Sequence, residues 1–198
     1  SYVRSMVIDG DLNLTNEYDY FHFRMPVDPD TGYPINTYSI GFSLLALPFF
    51  IITHGGILLL NTLGFQVDDQ GFSTPYQLSF CLGSMVYGWL GLILCHRFVR
   101  KFFPERTAFL SVTLLFLASN LFYYVIREPV MSHLASFFTV SLFIYFWHLT
   151  ARDGKRRDAL IMGCAAGFMI LVRQQDAAFL VIPVLNALYP YAVKEKSR

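Results

Sequence analysis

Long stretches of this chain contain no charged side chain. Six of them lack Asp, Glu, Lys and Arg altogether: 31–67, 70–96, 107–126, 129–151, 159–172 and 177–193. A hydrocarbon core about 30 Å thick needs about 20 helical residues to cross it. In lipid, a helix satisfies its own backbone hydrogen bonds. The pattern therefore predicts an all-α, polytopic transmembrane helical bundle, with spanning helices at 77–96, 107–126 and 131–150 and shorter helices at 159–172 and 177–193.

The apolar stretch 39–64 is interrupted by glycine and proline, and it lies between two acidic segments. Pro48 falls inside it, and His54-Gly55-Gly56 forms a break near its centre. If both flanking segments lie on the same side of the membrane, this stretch cannot be a single crossing. We therefore predict a re-entrant or juxtamembrane helix pair at 39–64. A plain spanning helix remains the alternative, because acidic residues contribute little to orientation.

These predictions divide the chain into three regions. An extracytoplasmic first loop covers 1–38, the juxtamembrane or re-entrant helices cover 39–64, and the transmembrane helical module covers 77–193. Within the module, Gly163 and Gly167 have the small-xxx-small spacing that is typical of close helix packing.

Composition supports a membrane protein and excludes several other classes. Of the 198 residues, 55% are hydrophobic and only 15% are charged, whereas soluble domains contain about 25% charged residues. A net charge of +1 excludes a nucleic-acid binder that acts through a strong positive field. The three cysteines have no CxxC spacing, which excludes a disulfide scaffold and a cysteine zinc site.

Charge distribution predicts the orientation. Segments 97–106, 151–158 and 194–198 carry +3, +2 and +2, whereas segment 1–30 carries −4. Positive charge marks the cytoplasmic side, so we predict that loops 97–106 and 151–158 are cytoplasmic in a multi-pass protein of the bacterial inner membrane or an equivalent membrane. The first ten residues contain neither an initial Met nor a leader, so we expect the chain to be a piece of a larger protein.

Ionisable residues then cluster on the predicted outer side. Arg127, Glu128 and His133 surround the start of one helix, Arg173 and Asp176 lie at a predicted hairpin turn, and the first loop carries several carboxylates. Ionisable groups at membrane depth usually mark a functional site. Such a mixture suits a phosphate-bearing substrate, because arginine binds phosphate and a carboxylate accepts a proton. The alternative is a set of solvated interfacial charges with snorkelling arginines.

The first-loop carboxylates Asp9, Asp11 and Glu17 are candidates for binding an acceptor or a metal. Asp9-Gly10-Asp11 resembles the start of a calcium loop, but Leu14 and Tyr20 stand where an EF-hand needs Gly and Glu. The sequence therefore indicates no cofactor, and it leaves a looser divalent-metal site open.

The order of four motifs resembles the N-terminal module of GT-C glycosyltransferases, the multi-pass enzymes that include protein O-mannosyltransferases and aminoarabinose transferases. The motifs are YPINTYSIG at 33–41, HRFVRKFF at 96–103, REPVMSHLASFF at 127–138 and LVRQQD at 171–176. The resemblance implies transfer of a hexosyl or pentosyl group from a polyprenyl-phosphate donor to an acceptor hydroxyl on the extracytoplasmic side. The implied partners are this lipid-linked donor and membrane lipids, without nucleic acid.

The resemblance also implies roles for individual residues. The family's catalytic carboxylate matches a position upstream of Ser1, so we expect the base to precede this chain. A second acidic position falls near Ser132 or His133, and Glu128 is a candidate to replace it, which makes Glu128 and His133 the catalytic candidates. Arg173 matches a common Lys or Arg and, with Arg127, is a candidate to bind the donor phosphate. The alternative function is a non-catalytic multi-pass protein, either a transporter module or a subunit that handles lipid-linked sugars.

Overall fold

The structure is a computed structural model that describes residues 2–36 and 38–196. Ser1, Thr37 and 197–198, which belong to the predicted first loop and basic tail, lie outside the described residues. The helices are α1 Tyr2–Arg4, α2 Thr15–Tyr20, α3 Gly41–Thr62, α4 Thr74–Val99, α5 Glu105–Ala118, α6 Asn120–Ile126, α7 His133–Asp153, α8 Arg156–Val172 and α9 Val181–Lys196. A π-helical turn, Ser5–Asp9, extends α1, and a 3-10 helix, Gln174–Leu180, joins α8 to α9. This architecture confirms the predicted all-α, polytopic helical bundle.

Among the residues that the structure describes, three helices are long and apolar enough to cross a membrane: Gly41–Thr62, Thr74–Val99 and His133–Arg152. A fourth candidate is the pair α5 and α6, which is bent by 64°. The window predicted at 77–96 therefore lies within α4, and the window predicted at 131–150 lies within α7 from His133 onward. Which side each loop faces stays a prediction.

One continuous helix, α3, takes the place of the pair expected at 39–64. Pro48 and His54-Gly55-Gly56 all lie inside its 22 residues. Phe50 and Ile57 are buried on one face of α3 and pack with Tyr76 of α4, so the helix keeps a continuous contact across the glycines. Gly55 and Gly56 have nothing within 4 Å of an added Cβ, so no neighbour forces a break there. Whether α3 spans, re-enters or lies along the interface stays a prediction.

The window predicted as one helix at 107–126 is broken at Ser119. Ser119 has an extended backbone, and its hydroxyl accepts a hydrogen bond from the backbone N–H of Leu121 at 3.3 Å. This local cap offers the backbone an alternative to the continuing helix. The window 177–193 also differs, because its first residues belong to the 3-10 helix and α9 begins at Val181.

Helices α4 and α7 run parallel with a large offset. Gly88 of α4 lies against Leu134 at the start of α7, and Cys95 Sγ lies 3.4 Å from Ser141 Oγ. Helix α8 returns antiparallel to α7 after Gly154, which has a φ of 62°, and Phe143 packs with Ala165 and Met169. The start of α7 and the end of α8 therefore lie together beside the middle of α4, far along the helix from its N-terminus.

Helix α8 does not pack through the glycines that its spacing suggested. Gly163 and Gly167 are exposed, and an added Cβ at either would meet nothing within 4 Å. Ala165 and Met169, on the opposite face, make the contact with α7. The close backbone approach in this part of the bundle is at Gly41 of α3, where an added Cβ would overlap the backbone of Leu171 and Val172.

Candidate functional site

A cavity of about 790 Å³ lies between the first loop and the ends of α7 and α8. Its wall includes Arg4 and Glu17 from the first loop, Phe72 from the segment before α4, and His133 and Arg173 from the bundle. Residues from distant parts of the sequence thus meet around one space that is large enough for a small-molecule ligand.

Arg4 holds the first loop together at one side of this cavity. Its guanidinium contacts Asp9 at 2.5 Å and Glu17 at 3.5 Å, and its Nε donates to the backbone oxygen of Gln70 at 2.6 Å. The guanidinium also lies over the ring of Phe72, 4.1 Å from its centroid. Because Arg4 is only 6% exposed, these contacts are shielded from solvent, and Asp9 and Glu17 serve to hold a buried cation.

His133 and Arg173 form a contact pair in the wall of the same cavity. Helix α7 begins at His133 and α8 ends at Val172, so both side chains project from helix ends at the same level. The Arg173 guanidinium donates to Nδ1 of His133, which makes this imidazole neutral with its proton on Nε2. The amide oxygen of Gln175, in the orientation that satisfies the hydrogen bonds, accepts from Arg173 Nε at 3.2 Å. The ring of Tyr124 stacks on His133, with centroids 3.7 Å apart.

A second cavity of about 450 Å³ adjoins the first and shares His133 and Arg173 with it. Its wall includes Asp176, which is 8% exposed and accepts a hydrogen bond from Ser136 Oγ at 2.6 Å. The backbone N–H of Asp176 donates to the Arg173 carbonyl at 3.0 Å. Asp176 therefore fixes the first 3-10 turn on α7, directly after the residue that carries the guanidinium.

The first loop also contributes a phenol to the larger cavity. Burial raises the pKa of Tyr18, and the neighbouring Tyr2, Tyr38 and Glu17 raise it further. Tyr18 therefore stays protonated at neutral pH and can donate a hydrogen bond to a ligand.

The structure brings some of the predicted site residues together and separates others. His133 and Arg173 touch, and Glu17 lines the same cavity. Arg127 is exposed at the end of α6, and Glu128 accepts a hydrogen bond from Tyr123 at 3.1 Å, outside the residues that line the cavities.

The remaining first-loop candidates have structural contacts. Asp9 pairs with Arg4 and also accepts from Asn16 at 2.7 Å. Asp11 is exposed and accepts from Ser5 Oγ at 3.1 Å and from the backbone N–H of Asn13 at 3.0 Å. Within 2–36 and 38–196, no group of three or more His, Cys, Asp or Glu residues could hold a metal ion.

Sequence reasoning did not single out Arg4, Ser136 or Tyr124 for this site. Arg4 is one basic residue in an acidic loop, and its contact with Gln70 joins residues 66 positions apart. Ser136 and Tyr124 lie in charge-free stretches that carry no local signal. The Asp176 carboxylate beside an apolar stretch was the clue that a polar partner had to exist inside the bundle.

Fold and site together define a polytopic membrane protein with a polar, cation-bearing cavity at one end of its helices. The chain belongs to the dolichyl-phosphate-mannose-protein mannosyltransferase family, whose model matches residues 72–198. This match confirms the resemblance to membrane glycosyltransferases of the GT-C type. No curated protein and no solved structure matches the chain. The matched region contains His133, Arg173 and Asp176, whereas Arg4 and the first loop precede it.

Proposed function

We propose that this chain forms the donor-phosphate side of a glycosyltransferase active site, which transfers a sugar from a polyprenyl-phosphate donor to an acceptor hydroxyl on the extracytoplasmic face. The observation that carries the proposal is the different surroundings of two arginines. Among the residues that the structure describes, Arg173 has no carboxylate within ion-pair distance, whereas Arg4 has two. Arg173 instead contacts the neutral acceptors His133 and Gln175, so its charge is available to an anion in the cavity.

The chemistry follows from this charge. The acceptor oxygen attacks the anomeric carbon, the bond from that carbon to the phosphate oxygen breaks, and the lipid phosphate leaves with an additional negative charge. An arginine fork binds phosphate oxygens with two parallel hydrogen bonds and stabilises the charge as it develops. His133, with its proton on Nε2, can donate a further hydrogen bond to the phosphate.

The hydroxyl proton needs a base. Asp9 and Glu17 are poor candidates, because both neutralise buried Arg4 and protonation of either would leave that cation under-compensated. We therefore place the base at the carboxylate that the family resemblance puts before Ser1. Glu128 lies outside both cavities, and a catalytic role for it requires movement of the segment between α6 and α7.

The test is sugar transfer by the full-length protein, with polyprenyl-phosphate mannose as the probe donor. Arg173→Ala should lower kcat by about 10²-fold, the usual loss when one stabilising donor is removed from a developing anion. Arg173→Lys should keep part of the activity, because it keeps the charge without the fork. Arg127→Ala, an exposed arginine outside the cavities, is the matched control and should stay within about two-fold of the parent.

Wild-type activity in Arg173→Ala would contradict the assignment of the phosphate site. Donor binding without any transfer by the parent protein would favour the alternative, a protein that handles lipid-linked sugars without catalysis.

A further inference from the structure

An apolar groove runs along α4 on the side where α5 and α6 lie. Its volume is about 470 Å³, and its lining is almost entirely hydrophobic. Trp89 and Phe109, two of its wall residues, are 67% and 61% exposed, so the groove is open along its length. The groove meets the smaller polar cavity at Leu121 and Phe137, which line both.

The bend at Ser119 opens this groove. Helix α5 rises beside α4, and α6 then turns by 64° instead of continuing alongside it. Helix α7 occupies another face of α4, where it contacts Gly88 and Gly91. A space bounded by α4, α5, α6 and the first turn of α7 is left between them.

One end of the groove is basic. His96 and Arg97, in the last turn of α4, line it there. In the described part of the chain, Arg97 has no carboxylate partner and Nε2 of His96 is buried without a hydrogen-bond partner. The acid of this segment, Glu105, contacts Arg100 at 3.5 Å. The end of the groove thus keeps uncompensated positive charge and an unused imidazole nitrogen.

The groove has the length of one lipid chain. From Met85 to Arg97 the helix rises about 18 Å at 1.5 Å per residue. One leaflet contributes about 15 Å of hydrocarbon, half of the bilayer core. An acyl chain whose headgroup lies at Arg97 would therefore extend along Trp89 and reach the level of Met85.

We propose that this groove binds one acyl chain of an anionic phospholipid, whose phosphate lies at Arg97 and His96. The charge at the end of the groove selects an anionic headgroup, and the apolar walls hold the chain. The assignment does not depend on the proposed sugar transfer, since neither His96 nor Arg97 lines the cavities that contain Arg173.

Trp89 reports on the occupant directly. The chain has two tryptophans, so Trp147→Phe leaves Trp89 as the single tryptophan, which is excited selectively at wavelengths where tyrosine does not absorb. This protein is placed in phosphatidylcholine vesicles that contain either brominated phosphatidylglycerol or brominated phosphatidylcholine at equal mole fraction. Bromine quenches tryptophan on contact, so the ratio of the two quenching constants measures headgroup selectivity at the groove.

We expect phosphatidylglycerol to be preferred by about five-fold, the effect of one arginine near an anionic headgroup. Arg97→Gln should abolish the preference. Arg106→Gln, in the same basic segment but outside the groove lining, should keep it. Thr113→Phe, which fills the groove, should weaken quenching by phosphatidylglycerol, whereas Leu114→Phe on the neighbouring exposed position should not.

Four results would overturn the proposal. Equal quenching by both lipids, or equal losses in Arg97→Gln and Arg106→Gln, would show ordinary lipid contact with a basic surface. Protection of Trp89 from both lipids would show that protein covers the groove. Relief of quenching by added polyprenyl phosphate would assign the groove to the chain of that lipid.

Discussion

At the scale of single residues, Arg4 and Arg173 carry the same charge in the same cavity and differ in their neighbours. Arg4 is enclosed by two carboxylates, a backbone oxygen and an aromatic ring. Arg173 is half-buried and contacts an imidazole and an amide. The first arrangement stabilises the fold, and the second leaves a charge for a ligand.

Arg4→Ala should therefore destabilise the protein by about 3–5 kcal/mol, because it leaves the buried carboxylate of Glu17, and with it Asp9, without their cation. Thermal unfolding in detergent measures the effect. Arg100→Ala breaks the exposed contact with Glu105 and should cost about 0–1 kcal/mol. Equal stability of the two variants would show that the Arg4 contacts do not hold the first loop.

Ser136→Ala tests the buried hydrogen bond to Asp176. Without the Ser136 hydroxyl, a buried carboxylate oxygen of Asp176 loses its hydrogen-bond donor. The free energy of unfolding should fall by about 1–3 kcal/mol, and the turn after Arg173 should loosen. Ser79→Ala is the matched control, since the buried Ser79 hydroxyl donates only to Tyr76 of its own helix at 2.6 Å. If both serines can be replaced at equal cost, Asp176 does not anchor the turn through Ser136.

Two of the residues that the sequence singled out, His133 and Arg173, are in contact in the structure, and they stood out for a definite physical reason. His133 and Arg173 stood out because ionisable groups are rare beside charge-free stretches. Arg4, Ser136 and Tyr124 act through partners far away in sequence, and no local pattern reports such a contact. Arg127 shows the limit of the same reasoning, because this arginine is exposed and lines neither cavity, and a role for it stays a prediction.

At the scale of elements, charge-free windows predicted where the helices lie but not whether each helix is continuous or broken. Helix α3 passes through Gly55 and Gly56 because packing of Phe50 and Ile57 on Tyr76 stabilises it on both sides of them. The window 107–126 breaks at Ser119 because one serine hydroxyl caps a new helix. Hydropathy averages over a window and cannot distinguish these two cases.

Helix contact gives a sharp prediction at Gly41. Gly41→Ala places a methyl group where it overlaps the backbone of Leu171 and Val172. This overlap is relieved only if α3 and α8 move apart. We expect a loss of about 1–3 kcal/mol or more. Gly163→Ala and Gly167→Ala meet open space and should be neutral or stabilising by up to about 1 kcal/mol, as in other exposed helix interiors. Thermal unfolding of the three variants in detergent compares them directly.

At the scale of the whole molecule, the charge distribution predicts which loops share a side of the membrane. Cysteines placed at 9, 68 and 156 in a variant without Cys81, Cys95 and Cys164 can be labelled with an impermeant maleimide in closed vesicles. The charge distribution predicts that 9 and 68 are labelled from the same side and 156 from the other. Labelling of 9 and 68 from opposite sides would make α3 a spanning helix and would contradict the juxtamembrane prediction.

The offset between α4 and α7 has a consequence for the size of the acceptor. Helix α4 begins at Thr74, about 21 Å of helix before Gly88, the residue level with the start of α7. Phe72 and Gln77, near the start of α4, line the large cavity together with His133 and Arg173, which lie at the level of the middle of that helix. An acceptor that enters the cavity beside Phe72 and Gln77 therefore passes along α3 and α4 before it reaches His133 and Arg173. If sugar transfer takes place at these side chains, as proposed above, a single extended strand or a small sugar can follow that route whereas a folded domain stops at the rim, so we expect a protein acceptor to be modified before it folds.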